Sequence, residues 1–176
     1  MKYLNFLNVP GPIRYQGTDY IFDWSSNPNA TYFKQEYHPA GQPEDRYTEM
    51  IMLEVALGEI RVSDAVAAKQ QEIEQRKGRD KMANYNLSEN KEKGEMLLEF
   101  MMSEGSRDDT LIVEWNVYRY HAYSDSFGRK GVQLFALSRR CYGKKSKEFL
   151  DDIREDRLKY MNDFVALPVP ELKLPK

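Results

Sequence analysis

Residues 110–123 read TLIVEWNVYRYHAY and residues 131–143 read GVQLFALSRRCYG, with a short polar connection between them. Both stretches are rich in β-branched and aromatic residues, which is typical of β-strands. A connection this short joins antiparallel neighbours, because parallel strands need a long crossover. The two stretches therefore predict a long β-hairpin over residues 109–142, and we expect it to form the centre of one antiparallel sheet.

Strand and helix patterns divide the rest of the chain. Apolar residues recur at helical spacing after Ser63, a predicted N-cap, as far as Gly78, and again from Ser146 to Ala166. The other predicted elements are a hairpin of residues 13–15 and 19–24 around a turn at 16–18, a turn at 25–30, a surface loop at 38–46, and strands at 31–37, 47–57, 83–90 and 95–103.

The strand at 47–57 indicates how the sheet is covered. Its two sides are both apolar, with Ile51 and Leu53 on one side and Met50 and Met52 on the other. Such a strand is covered on both faces and lies inside the sheet. The two amphipathic helices supply that cover, so we predict an α+β sandwich in which an amphipathic helix packs on each face of an antiparallel β-sheet.

Length and composition bound the class of protein. The 176 residues are 41% apolar and 31% charged, which is typical of a single soluble globular domain. We predict one domain over residues 1–176, with an irregular lead-in at 1–18 and an extended, proline-rich tail at 168–176. A net charge of −2 argues against a nucleic-acid partner, since such proteins carry a basic excess. No apolar run is long enough to span a bilayer.

The sequence is compatible with more than one cellular compartment. The N-terminal sequence MKYLNFLNVPG lacks the features of an intact signal peptide. A mature exported or periplasmic chain would look the same. The single cysteine, Cys141, excludes an internal disulfide and any multi-cysteine metal site, and we expect it to pack as a small apolar residue.

Motifs for catalysis are absent from the sequence. It contains no phosphate-binding glycine loop, no HExxH pair and no EF-hand loop. We expect His38 and His121 to be solvated or hydrogen-bonded rather than catalytic. The sequence therefore predicts no catalytic residue, no metal site, no cofactor and no enzymatic activity.

Arginine and tyrosine residues provide the positive signal for binding. Arg119 continues an apolar strand side with Trp115 and Val117, so it needs a carboxylate partner or a ligand anion. Glu114 and Arg140 approach each other across the hairpin, and a structural ion pair between them is the alternative to binding. The candidate binding residues are Arg119, Arg139, Arg140, Tyr118, Tyr120, Tyr32 and Lys34.

Six tyrosines in the first third of the chain indicate a second candidate surface, because tyrosine is enriched at protein interfaces. Together they would form a partner-binding patch along one edge of the sheet. They are Tyr3, Tyr15, Tyr20, Tyr32, Tyr37 and Tyr47.

The order of elements, with a long central hairpin, a helix between early and late strands and a C-terminal helix, resembles the PsbP-like fold. The resemblance is one of topology over about residues 20–167 and carries over no functional residue. The segments WSSNPNATYFKQEY (24–37), NVYRY (116–120) and SRRCYG (138–143) are also similar to those of small exported bacterial proteins with no assigned activity. This resemblance implies adaptor or accessory work, since known proteins of the PsbP-like fold bind partners.

Two functional hypotheses follow. The first is a non-enzymatic binding or accessory protein that engages a protein partner. The second is a binder of a small anionic ligand, or an undetected enzyme, that uses the arginine and tyrosine residues of the hairpin. An arginine in a deep pocket without a carboxylate would favour the second hypothesis, whereas paired arginines would favour the first. A homodimer joined through a terminal segment is a third alternative.

Overall fold

The computed structural model describes residues 2–42, 45–105, 107 and 111–176. Over these residues the chain forms eight strands and two α-helices. The strands are β1 (Ile13–Tyr15), β2 (Thr18–Asn29), β3 (Tyr32–Pro39), β4 (Glu49–Leu57), β5 (Asn84–Asn90), β6 (Glu95–Glu104), β7 (Ile112–Ser124) and β8 (Lys130–Tyr142). The helices are α1 (Val62–Arg76), which follows β4, and α2 (Ser146–Val165), which follows β8.

All eight strands belong to one antiparallel sheet in the order β1-β2-β3-β4-β8-β7-β6-β5. Strands β7 and β8 confirm the predicted hairpin, although its first two residues, Asp109 and Thr110, lie outside the described part of the chain. The Asp125 carboxylate holds the connection by accepting hydrogen bonds from the backbone N–H groups of Phe127 and Arg129, both at 3.0 Å. Strand β4 lies between β3 and β8, so its predicted inner position is also confirmed.

Strand β2 is longer than predicted. The segment 25–30, predicted as a turn, instead continues β2 to Asn29, and Ser25 pairs with Gln35 of β3. Strand β1 pairs only with residues 18–20, and beyond them no other described strand pairs with that edge of β2. Pro28 lacks an N–H group, and a proline is tolerated on such an edge because no ladder hydrogen bond is lost.

Both predicted N-caps are wrong. Helix α1 begins at Val62 and is capped by Arg61, whose backbone N–H donates to the Asp64 carboxylate at 3.2 Å. Ser63 is therefore already inside the first turn. Ser146 is likewise the first residue of α2, after a short 3-10 turn at Gly143–Lys145.

The predicted sandwich, including its PsbP-like form, is wrong as the fold class. The sheet curls into a half-barrel, and only 22% of the chain is helical. The antiparallel sheet itself is as predicted. The sheet, rather than two helical layers, accounts for most of the regular secondary structure.

Extended segments do part of the covering that the prediction assigned to helices. Leu7 of the lead-in and Leu172 of the tail are buried in the same apolar cluster as Ile153 and Phe164 of α2. The backbone N–H of Lys173 donates to the Leu7 carbonyl at 3.0 Å, which ties the two segments together. Amphipathic periodicity cannot reveal this cover, because neither segment is regular.

Helix α1 packs against β5, β6 and β7 and contributes Val66 and Ile73 to a second apolar cluster. That cluster also contains Met50 and Met52 of β4, whereas Ile51 and Leu53 belong to the first cluster. Successive residues of a strand point to opposite faces, so the two clusters lie on opposite sides of the sheet. On the α1 side, a groove opens between the helix and strands β4, β7 and β8.

Candidate functional site

Arg119 is a buried structural residue with a full set of partners. Its side chain is 1% exposed, and its Nε donates to the equally buried Glu95 carboxylate at 3.0 Å. Its Nη1 donates to the backbone carbonyls of Phe164 and Leu167, both at 2.9 Å. The predicted need for a partner is thus met inside the fold, and the contact joins β7 to the end of α2.

His121 completes this buried group. Its Nε2 lies 2.8 Å from the Glu95 carboxylate that also pairs with Arg119. Burial acts to raise the pKa of Glu95, but the hydrogen bond to His121 and the positive charge of Arg119 outweigh it. The pKa of Glu95 therefore lies below its ordinary value, and the carboxylate is ionised at neutral pH.

The other two arginines of the hairpin are also paired. Arg139 donates to the Glu49 carboxylate at 3.1 Å and stacks over the Tyr160 ring, with 4.1 Å from the guanidinium carbon to the ring centroid. Arg140 forms an ion pair with Glu114, which lies directly opposite it in the β7–β8 register. The cross-strand pair expected from the sequence is confirmed.

The three arginines therefore do not converge on one site. Each has its own carboxylate. Arg140 pairs with Glu114, and Glu114 and Arg119 point to opposite faces of the sheet because side chains alternate along β7. Arg119 and Arg140 therefore lie on opposite faces. The three arginines strengthen the sheet at three separate places.

The remaining four candidate residues surround a single carboxylate, that of Glu54. Lys34 lies directly opposite Glu54 in the β3–β4 register, and Tyr32 pairs with Ala56 two positions along. Both interact with the Glu54 carboxyl group. The charge of Glu54 in turn acts on Tyr118 and Tyr120. Sequence reasoning brought these four residues together without identifying the residue at their centre.

Glu54 lies in the groove between α1 and the sheet, which has a volume of about 430 Å³. We call it the Glu54 groove. Its lining residues are Glu54, Ala56, Ile60, Asp64, Ala65, Ala68, Lys69, Glu72, Tyr118, Tyr120, Val132 and Leu134.

Small side chains explain why the groove is open. Helix α1 presents Ala65 and Ala68 to it, and each ends at a single methyl group. Opposite them, Val132 and Leu134 of β8 form an apolar floor. A helix with longer side chains at these two positions would fill the space between itself and the sheet.

The carboxyl group of Glu54 is held in unfavourable surroundings. Glu54 shares its strand face with Met50 and Met52, so it is a charged residue on an apolar side of β4. Burial raises the pKa of Glu54, and the Lys34 ammonium and the Tyr32 hydroxyl oppose this effect only in part. The signal in the sequence is the interruption of the alternating series Met50-Met52-Glu54-Ala56.

The two tyrosines of the groove offer free hydroxyl groups. Neither the Tyr118 nor the Tyr120 hydroxyl has a hydrogen-bond partner among the described residues. Burial raises the pKa of Tyr118 well above its ordinary value, and the charge of Glu54 acts in the same direction. Burial likewise raises the pKa of Tyr120. Both phenols are therefore neutral at physiological pH and can donate or accept hydrogen bonds.

Several other residues considered above have structural roles. His38 is buried, its Nδ1 lies 2.9 Å from the Asp23 carboxylate, and its ring stacks on Tyr47 at 5.0 Å between centroids. Cys141 is also buried, and burial raises the pKa of its thiol, which supports packing over reactivity. The predicted tyrosine patch is wrong, because four of its six members lie in the core. They are Tyr15, Tyr20, Tyr37 and Tyr47.

A protein-family model matches residues 7–169 of the chain. The chain belongs to that family. The matched range contains all eight strands, both helices and every residue of the Glu54 groove. Comparison with curated proteins and with solved structures gave no match.

Among the residues that the structure describes, no helix is both long enough and apolar enough to cross a membrane. In the same residues, no group of three or more histidine, cysteine, aspartate or glutamate side chains is placed to hold a metal ion.

Proposed function

We propose that this protein is a non-enzymatic binding protein and that its Glu54 groove holds a small organic ligand. The observation that carries the proposal is the convergence, in a groove with an apolar floor, of the Glu54 carboxyl group with two phenols that have no hydrogen-bond partner among the described residues. Ligand sites are typically apolar concavities of about 300–1,000 Å³ with a few convergent polar groups, and the 430 Å³ groove fits that description.

The chemistry of the lining favours binding over catalysis. It contains carboxylates, phenols and one ammonium group, but no imidazole or thiol. The two phenols have raised pKa values and so do not serve as nucleophiles at neutral pH. They and Glu54 are suited to orienting a ligand through hydrogen bonds.

The arginine pairing argues against the anionic-ligand alternative. Arg119, Arg139 and Arg140 each contact a carboxylate, and none of them lines the Glu54 groove. An anion entering the groove would instead meet the carboxylate of Glu54. A protein partner stays a prediction from the sequence.

Filling the groove from the helix side tests the proposal. The probe is N-phenyl-1-naphthylamine, a neutral apolar fluorophore whose emission rises when it leaves water. We expect the wild-type protein to raise its emission and the Ala68→Phe variant to lose most of that rise, because the phenyl ring occupies the groove. Ala68 is on the surface of α1, so this change leaves the apolar core intact.

Ala67→Phe is the matched control. Ala67 is exposed on the same helix and does not line the groove, so this variant should bind the fluorophore as the wild-type protein does. Equal emission from Ala68→Phe and wild type would show that the fluorophore binds elsewhere, and the proposed site would be abandoned.

A further inference from the structure

Three ion pairs surround the Glu54 groove and cancel most of its charge. Lys34 pairs with Glu36 at 3.2 Å on β3. On α1, Lys69 pairs with Glu72 at 3.0 Å, and Asp64 pairs with Arg61 at 3.1 Å. Each cation near the groove therefore already has a carboxylate of its own.

Glu54 is left over from this pairing. Among the described residues it forms no ion pair at salt-bridge distance, although Lys34 and Lys69 lie close enough to act on it electrostatically. A partly desolvated carboxylate without an ion pair is unfavourable, and a ligand cation would relieve that state. The surplus charge of the groove is thus negative.

The aromatic surfaces of the groove also favour positive charge. The Lys69 ammonium lies over the Phe100 and Tyr118 rings, at 5.3 and 5.5 Å from their centroids. The negative face of an aromatic ring attracts ammonium groups at such distances. The groove therefore already holds one ammonium group against the Tyr118 ring.

We infer that the Glu54 groove is a site for an organic cation, namely an ammonium group carried on an apolar body. The ammonium group would contact the Glu54 carboxylate and the Tyr118 and Tyr120 hydroxyls, while the apolar body would cover Ala65, Ala68 and Leu134. This inference rests on the proposed function and adds the chemical class of the ligand.

Competition between the cation and a proton follows from this arrangement. Burial raises the pKa of Glu54, and a bound cation would lower it again, so binding would release a proton. The affinity for a cation should therefore be constant between the raised pKa of Glu54 and the pKa of the ligand's own ammonium group, and it should fall as the pH drops through the raised pKa of Glu54. The titratable groups around Glu54 are Tyr32, Lys34 and Glu36 from β3, Asp64, Lys69 and Glu72 from α1, and Tyr118 and Tyr120 from β7.

Three probes of equal shape test the inference: 3-phenylpropylamine, 3-phenylpropanol and 3-phenylpropionate. Titration calorimetry at pH 8 should show the amine binding about tenfold more tightly than the alcohol, because hydrogen bonds to a charged group are the stronger ones. The carboxylate probe should bind most weakly. Lowering the pH should weaken the binding of the amine but not that of the alcohol.

Glu54→Gln keeps the size of the side chain and removes its charge. In this variant the amine should lose its advantage while the alcohol binds as before. Glu155→Gln, an equal change of charge at an exposed position on α2, should alter neither affinity.

The outcomes distinguish the cation inference from the proposed function on which it rests. If the fluorophore enters the groove but the amine binds no better than the alcohol, the cation inference is overturned and the binding site stands. If neither the fluorophore nor any of the three probes binds, both fail. An amine advantage that persists in Glu54→Gln, or that does not change with pH in the wild-type protein, also overturns the inference.

Discussion

Arg119 and Glu54 present the same physical problem on opposite faces of one sheet, and the chain solves it in two ways. Each is a charged residue on an apolar side of an interior strand. Arg119 is matched by Glu95 and by two backbone carbonyls. Among the described residues, the groups that favour the charged form of Glu54 are the Tyr32 hydroxyl and two lysines, and both lysines are paired with other carboxylates.

This difference separates structural charge from charge available for binding. A buried ion with all its partners in place contributes to the fold and has nothing left to offer a ligand. A carboxylate left with a raised pKa in a groove is the kind of perturbed group that marks functional sites. Three predictions test the contrast, beginning with the largest effect.

Arg119→Met should destabilise the protein by about 3–5 kcal/mol, because it leaves the buried Glu95 carboxylate short of its main counter-charge. Urea unfolding monitored by circular dichroism gives the free energy. Arg154→Met is the control, since that arginine is exposed and its pair with Asp151 should contribute less than about 1 kcal/mol. Similar losses in the two variants would mean that Arg119 is not a structural centre.

Glu54→Gln should change the free energy of unfolding at pH 7 by less than the Arg119 variant does. An amide can still bond the Tyr32 hydroxyl, and it removes the desolvated charge. The sign of this change in unfolding free energy should depend on pH. The raised pKa of Glu54 means that the folded protein holds its proton more tightly than the unfolded chain, so this group favours folding at low pH and loses that contribution as the pH rises.

The difference in unfolding free energy between wild type and Glu54→Gln should therefore shift in favour of the wild type as the pH falls from 7 to 5. Glu95 should give the opposite pH dependence. Because folding lowers its pKa, its contribution to the free energy of unfolding is present above the pKa of the unfolded chain and is lost in acid. If the difference in unfolding free energy between wild type and Glu54→Gln did not change over this range, burial would not raise the pKa of Glu54. The contrast drawn between Glu54 and Arg119 would then be wrong.

The smallest effect is expected at the surface of the hairpin. Glu114→Gln breaks the cross-strand pair with Arg140, and both side chains are partly exposed. We expect a loss of about 0.2–1 kcal/mol in the free energy of unfolding, measured by urea titration. A loss as large as that of Arg119→Met would show that exposure does not distinguish these pairs.

Local patterns carried much of the prediction. Residue types and short connections were sufficient for the β7–β8 hairpin, and pairing of the two strands about their connection placed Glu114 near Arg140. Alternation also showed that Arg119 needs a partner. Glu95 was not identified as that partner, because the choice depends on the register of β6 against β7 and on the end of α2.

Four of the predicted binding residues lie around Glu54, but the sequence did not show what brings them together. Tyr118, Tyr120, Tyr32 and Lys34 were chosen for their chemistry, yet they surround Glu54 only because β3, β4, β8 and β7 lie side by side in the sheet. A carboxylate in a strand is common in any sequence, so Glu54 stands out only once its neighbours on other strands are known.

The sequence by itself determined the number and order of the strands and helices, the antiparallel pairing and a residue that needs a partner, because these follow from side-chain periodicity and short-range turn chemistry. Tertiary structure alone decided the curled sheet, the cover supplied by the two terminal segments and the open groove beneath α1. Those features depend on contacts between residues far apart in the chain. Such contacts left Arg119 fully paired and Glu54 without an ion pair among the described residues.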